Sequence, residues 1–189
     1  MIEINDQIVL KEKIKFLKIR NVKSPTRAYE YDAGIDFYVP DFNQKFLDDL
    51  LEKNPDADLM GIGDERVVSI AIPAQGRIMI PSGIKSRMHA PGRALIAANK
   101  SGVATKHGLV YGAQVVDYTY KGEIHLSLIN TSDKDVIITP GQKILQFLET
   151  PVFVSEVEIV EYSNHSEGNF YEGLQDDRGA GGFGSTDKK

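Results

Sequence analysis

The stretch RVVSIAIPAQGRIMIPSGIKSRMHAPGRALIAA, residues 66–98, decides the fold. Residues 66–72, 77–80 and 93–98 are short runs rich in Val, Ile, Leu and Ala, cut apart by Pro73, Gly76, Pro81, Gly83 and Pro91-Gly92. Runs of this length between Gly and Pro punctuation are strand signals, too short for helices that would have to bury a face. The same pattern recurs outward along the chain at 13–20, 136–139 and 152–160. Many short strands at close spacing predict an all-β fold, a sandwich or barrel.

One stretch breaks the pattern. DFNQ at 41–44 offers Asp41 as a helix cap and Gln44 at the capping-box position. Phe46, Leu47, Leu50 and Leu51 then recur at helical spacing before Asn54-Pro55. This predicts a helix over 42–53. The loop-like NPDADLMGIGDE follows, so 41–65 reads as an insertion between strands, one that packs on the barrel or presents a partner surface. A second short helix is expected over 101–107, with Ser101 as cap and Gly108 as stop. Beyond residue 162 the chain turns polar and glycine-containing, which predicts a β domain over 1–162 and a flexible arm over 163–189.

Composition bounds the chemistry. The 189 residues hold one globular domain comfortably, and the absence of cysteine removes disulfides, thiolate metal sites and a cysteine nucleophile. A net charge of -5 argues against broad nucleic-acid binding. No window reaches the ~18 apolar residues of a membrane span, and the acidic start MIEINDQIVLKEK is unlike a targeting segment. A cytoplasmic protein is the expectation.

Five short segments carry polar groups suited to a phosphorylated ligand. ANKSG at 98–102 follows a strand and opens the second helix, where backbone N–H groups, the Ser101 hydroxyl and the Lys100 ammonium converge. QVVDYTYKGEIHLSLIN at 114–130 places Asp117 and Tyr120 in what reads as a hairpin loop. An aspartate there is either a solvated turn residue or a carboxylate that deprotonates a water; Tyr120 is a turn aromatic or a wall against a sugar. GQKILQ at 141–146 is a turn entering a strand, and AGID at 33–36 a glycine bend with a carboxylate. DRGAGGFGSTDKK at 177–189 is either a frayed tail or an arm in which Arg178 and Gly184-Ser185-Thr186 meet phosphate and Phe183 meets a base.

In order, AGIDFYVP (33–40), NKSGVATKHG (99–108), VVDYTYKGEI (115–124), GQKILQ (141–146) and RGAGGFGST (178–186) resemble the five motifs of the trimeric dUTPases. The resemblance implies a jelly-roll-like β-barrel in a homotrimer with shared active sites. It implies Mg²⁺-dependent hydrolysis of dUTP to dUMP and pyrophosphate, which limits uracil in DNA and supplies dUMP for thymidylate synthesis. Carried over by position, Asp117 would activate the attacking water, and Tyr120 would lie under the deoxyribose and exclude a 2′-hydroxyl. Backbone groups of Gln114, Val115, Val116 and His125 would read uracil. Lys100, Ser101, Gly102 and Gln146 would hold phosphates, Asp36 would meet the metal through water only, and Arg178, Phe183, Gly184, Ser185 and Thr186 would close over the nucleotide.

This chain departs from the family pattern at Asn99-Lys100, Gln142-Lys143, Leu145 and Asp187. The Lys143 departure removes a possible carboxylate–arginine pair within its own motif. Two other readings compete. A dCTP deaminase of the same fold would use a glutamate at the position of Ser127, and a regulatory protein of this fold would act through 41–65.

Overall fold

In the computed structural model, the described residues are 2–4, 7–9, 12–62, 66–161 and 170–173. In chain order the elements are β1 (Ile2–Ile4), β2 (Gln7–Val9), β3 (Lys15–Lys18), β4 (Gly34–Tyr38), α1 (Gln44–Lys53), β5 (Asp58–Ile62), β6 (Arg66–Ile72) and β7 (Arg77–Pro81). There follow β8 (Ile84–Arg87), β9 (Arg93–Asn99), α2 (Ser101–His107), β10 (Leu109–Tyr111), β11 (Val115–Asp117), β12 (His125–Asn130), β13 (Val136–Ile138) and β14 (Lys143–Pro151). The chain divides into two compact units, residues 1–153 and 154–189.

In the first unit the ladders are antiparallel and run β11-β9-β14-β4, β10-β12-β7, β13-β6-β5, β3-β8 and β1-β2. The all-β, jelly-roll-like expectation holds, although among the described residues the ladders do not join into one closed barrel. Strand alternation supplies the core: in β12, Leu126 and Leu128 point inward while His125, Ser127 and Ile129 are less buried. Those leucines join Phe37, Phe147, Ile70, Ile80 and Leu95 in one apolar cluster. Phe37 packs against Phe147 with ring centroids 4.7 Å apart. Buried Asn130 donates to the carbonyls of Ile72, Pro73 and Lys134 and accepts from Ser132, so its burial leaves no polar atom stranded.

Helix α1 begins two residues later than the sequence predicts. Its cap is Asn43, whose Oδ1 accepts from Phe46 N at 2.9 Å, while Asp41 instead accepts from Asn21. Gln44 is therefore the first helical residue and no capping box forms. Phe46, Leu47 and Leu50 are buried in the cluster. The helix stops at Asn54, whose side chain donates to Leu50 O and Met79 O and accepts from Met79 N at 2.8 Å. One asparagine thus ends the helix and fastens it to β7. The predicted loop after it is partly a strand, since β5 pairs with β6.

Two further expectations change. The run 152–160 is not a strand: β14 ends at Pro151, Val152 N makes a last bond to Gly92 O, and Phe153 is fully exposed. Its β-branched sequence pairs with no strand among the described residues, and propensity without a ladder makes no strand. The strands flanking Asp117 do not pair with each other either. β11 belongs with β9, and β12 with β7 and β10, so residues 118–124 form a loop between sheets rather than a hairpin. In the second unit, residues 154–161 carry no strand or helix and 170–173 form a turn. Among the described residues no helix is long and apolar enough to cross a membrane.

Candidate active site

Three neighbouring strands bring separate sequence segments to one place. Gln146 on β14 lies opposite Asp36 on β4 and opposite Ala98 on β9. Gln146 leans across Gly34, where a Cβ would stand 2.0 Å from Gln146 Oε1. A side chain at 34 would have to displace the end of Gln146, so glycine here serves close approach rather than a bend. Gln146 Nε2 donates to Asn99 O at 2.7 Å, fixing the end of β9 where the chain enters α2.

At that end Asp36 is almost fully buried, 2% exposed, between two lysines. Lys100 Nζ reaches Oδ1 at 2.5 Å and Lys143 Nζ reaches Oδ2 at 3.0 Å. Lys143 arrives through a register slip between Lys143 and Leu145 in the β14–β4 ladder. Lys100 and Lys143 lie in separate sequence motifs, yet the fold gives both to one carboxylate. Burial alone would raise the pKa of Asp36, but hydrogen bonds from Lys100 and Lys143 outweigh it and hold the carboxyl below the ordinary aspartate range.

The sign of the linkage follows. A depressed folded pKa contributes stability above the unfolded value of about 3.9, and that stability is lost as pH falls through the lower folded value. Asp36→Asn is expected to destabilise the fold by about 1–3 kcal/mol at pH 7, because a buried carboxylate bonded to two lysines is replaced by an amide whose NH2 faces a lysine donor. The gap from wild type should close as pH drops below about 4. Thermal melts of both proteins from pH 7 down to pH 3 measure this; a gap independent of pH would show that the carboxylate charge is not what matters.

Beside this group a cavity of about 450 Å³ is lined by Lys100, Ser101, Gly102, Lys106, His107 and Gln146. Helix α2 spans the expected residues and stops at Gly108 in the left-handed conformation, φ 66°. Its cap position is Lys100, with no capping hydrogen bond from the side chain; Ser101 is the first helical residue, not the cap. A Cβ on Gly102 would meet nothing within 4 Å, so the chain's own packing does not demand this glycine. Two lysines at the cavity and a third paired to Asp36 outnumber the single carboxylate, an arrangement for phosphate oxygens rather than for a bare cation. Among the described residues no three His, Asp or Glu side chains cluster as a metal site. Lys106 and His107 were not marked as site residues by sequence reading.

The other expected residues gather elsewhere. Asp117 ends β11 opposite Ala94. It is exposed, and no described residue partners its carboxylate. Gln114 O accepts from Ala97 N, while Val115 and Val116 pair with β9, leaving the other edge of β11 without a strand among the described residues. Tyr120 folds back over Gly122, where a Cβ would stand 2.3 Å from its hydroxyl, and Tyr120 Oη donates to Glu123 O at 2.9 Å. His125 Nδ1 lies 2.9 Å from the same carbonyl and, facing an acceptor, carries the proton. Asp117 sits at the Ala94 end of β9 and Lys100 just past the opposite end, about 20 Å away along the strand at ~3.3 Å per residue. One chain therefore holds these two groups of residues apart. Arg178, Phe183, Gly184, Ser185 and Thr186 lie outside the described residues.

The dUTPase family model matches residues 67–187. Among curated relatives, the deoxyuridine 5'-triphosphate nucleotidohydrolase of Candida glabrata is 42% identical over 87% of this chain and 89% of its own length. That of Yarrowia lipolytica is 32% identical over 92% of this chain and 87% of its own. Among solved structures, a mutant dUTPase of Staphylococcus bacteriophage 80alpha with dUpNHpp superposes with a TM-score of 0.65 at 18% identity, covering 92% of this chain and 98% of that one. A mutant phage phi11 dUTPase from S. aureus, whose structure reveals coordination of a structural Mg(II) ion, has a TM-score of 0.59 at 16% identity, covering 79% and 97%.

Proposed function

The chain belongs to the dUTPase family, and from that premise we propose that it hydrolyses dUTP, delivered as its Mg²⁺ complex, to dUMP and pyrophosphate. The observation that carries the detailed reading is the separation of the two groups of residues along β9. Within one chain a nucleotide cannot meet both Asp117 and the lysine-lined cavity at bonding distance. Asp117 of one subunit therefore works with Lys100, Ser101, Gly102 and Gln146 of another, in a homotrimer with shared sites.

In this reading Asp117 accepts a proton from water as its oxygen bonds to the α-phosphorus. The bond from that phosphorus to the bridging oxygen breaks, and pyrophosphate departs. The donors of the cavity hold the triphosphate in line and spread its charge. When bound, Mg²⁺ would arrive with the substrate and add neutralisation of the phosphates; Asp36, both oxygens held by lysines, would meet it through water rather than as a direct ligand. Lys143 and Lys100 share Asp36, so a phosphate arriving at Lys100 leaves the buried carboxylate still paired. Gln114 O is already taken by Ala97 N, and by strand alternation it is Val115 that turns its backbone N–H and C=O to the open edge of β11; uracil is read there, between Gln114, Val116 and His125. Tyr120 is already oriented by its hydroxyl and forms the wall under deoxyribose.

Pyrophosphate release from dUTP, dTTP, dCTP and UTP tests the reading. A clear preference for dUTP is expected, with Tyr120→Ala relaxing the discrimination against UTP; equal rates on all four, or ammonia release from dCTP, would overturn it. The arm has its own test. Truncation after Asp176 removes Arg178, Phe183 and the Gly184–Thr186 donors without touching β11, so turnover should fall about 100-fold or more while dUMP binding by calorimetry persists. Unchanged turnover would remove the arm from the mechanism.

A further inference from the structure

Arg20, just beyond β3, joins two parts of the chain that sequence keeps far apart. Its Nε donates to Glu123 Oε1 at 2.7 Å, and its Nη2 to Glu123 Oε2 at 2.8 Å and to Asp49 Oδ2 at 2.6 Å. Asp49 belongs to the inserted helix α1, which also supplies Phe46, whose ring centre lies 5.9 Å from the guanidinium carbon. The side chains of Arg20 and Glu123 are 9% and 13% exposed, so water competes little for this pairing. Glu123 Oε1 accepts a further bond from Gly83 N at 2.6 Å. The Glu123 carbonyl is the acceptor for both Tyr120 and His125.

We propose that helix α1 is a positioning element for the nucleoside end of the site, acting through Asp49, Arg20 and Glu123 on Tyr120 and His125. The inference rests on the function proposed above for Tyr120 and His125. Residues 117–121 are exposed and carry no hydrophobic anchor in the core. Glu123 is the point at which this loop is charge-paired to the body of the fold. Arg20 Nε and Nη2 make the two-pronged contact with Glu123 while the second N–H of Nη2 is directed at Asp49, and a planar fork held on both sides has one orientation. Without Asp49, Arg20 can turn toward solvent and Glu123 loses its alignment. Ile124 N, in the same peptide as the carbonyl that orients Tyr120, stays bonded to Ile84 O, so losing the Glu123 pairing loosens that carbonyl without freeing it. The lysine-lined cavity, at the other end of β9, is untouched by this chain of contacts.

The experiment uses the full-length protein with Asp49→Asn and Asp49→Ala, and with Asp48→Ala as a control on the exposed side of the same helix. The dUTP-to-UTP ratio of kcat/KM should fall about 3- to 10-fold in the Asp49 variants, carried mainly by KM for dUTP. Inhibition by inorganic pyrophosphate, which needs only the phosphate end, should stay at the wild-type value. Hydrogen exchange of peptides covering 117–125 should quicken while those over β6 and β9 do not, and Asp48→Ala should match wild type in every measurement. Unchanged discrimination and exchange in the Asp49 variants would overturn the inference, as would exchange rising equally over the whole chain. Should the wild type fail to hydrolyse dUTP, the functional reading falls, and the exchange measurement still decides whether α1 holds the loop.

Discussion

Asp117→Asn is expected to lower turnover of dUTP about 1000-fold, within the range seen when a positioned proton acceptor is removed. The substitution keeps size and shape and removes only the ability to take a proton. Asp117 is exposed at the end of β11 and no described residue holds its carboxylate, so the fold has nothing to lose. Melting should shift by no more than surface substitutions do, about 0.5 kcal/mol. dUMP should still bind, because the backbone edge of β11 and the Tyr120 wall are intact. Pyrophosphate release under single-turnover conditions, beside calorimetry with dUMP, separates chemistry from binding. A variant within tenfold of wild type would place the proton acceptor elsewhere.

Leu50→Ala is expected to destabilise the protein by about 3 kcal/mol, within the spread for a fully buried leucine that leaves a cavity. Leu50 is completely buried, and its helix is tied to β7 through Asn54 as well as by packing. Lys45→Ala, on the exposed side of the same helix, should change little. Urea unfolding of both variants measures the difference. A loss under 1 kcal/mol for Leu50→Ala would mean that residues 41–65 rest loosely on the fold, and a detachable partner surface would then be the better reading of the segment.

Much of the fold was legible because strand signals are local. Residues 66–72 form a strand with the predicted bounds, and 77–80 and 93–98 each extend by one residue. Helix 101–107 ends at the expected glycine. Each misreading came from a place where a distant partner settled the outcome. Asp41 has good capping chemistry, yet Asn21 took its carboxylate and Asn43 became the cap. Residues 152–160 have strand propensity and no ladder. Asp117 to Gly122 has the composition of a hairpin turn, and its flanking strands joined different sheets.

By itself the sequence determined the family, the class of fold and the candidate site residues, because these depend on the order and spacing of short segments. Only the tertiary structure decided that Lys100 and Lys143 share Asp36, that the inserted helix is paired through Arg20 to the loop bearing Tyr120, and that Asp117 and the lysine-lined cavity occupy opposite ends of one strand. Asp36 and Lys100 are 64 residues apart, and Arg20 and Glu123 are 103 apart. A charge shows its sign in the sequence; which opposite charge it meets depends on strand register and on the burial that makes leaving it unpaired costly.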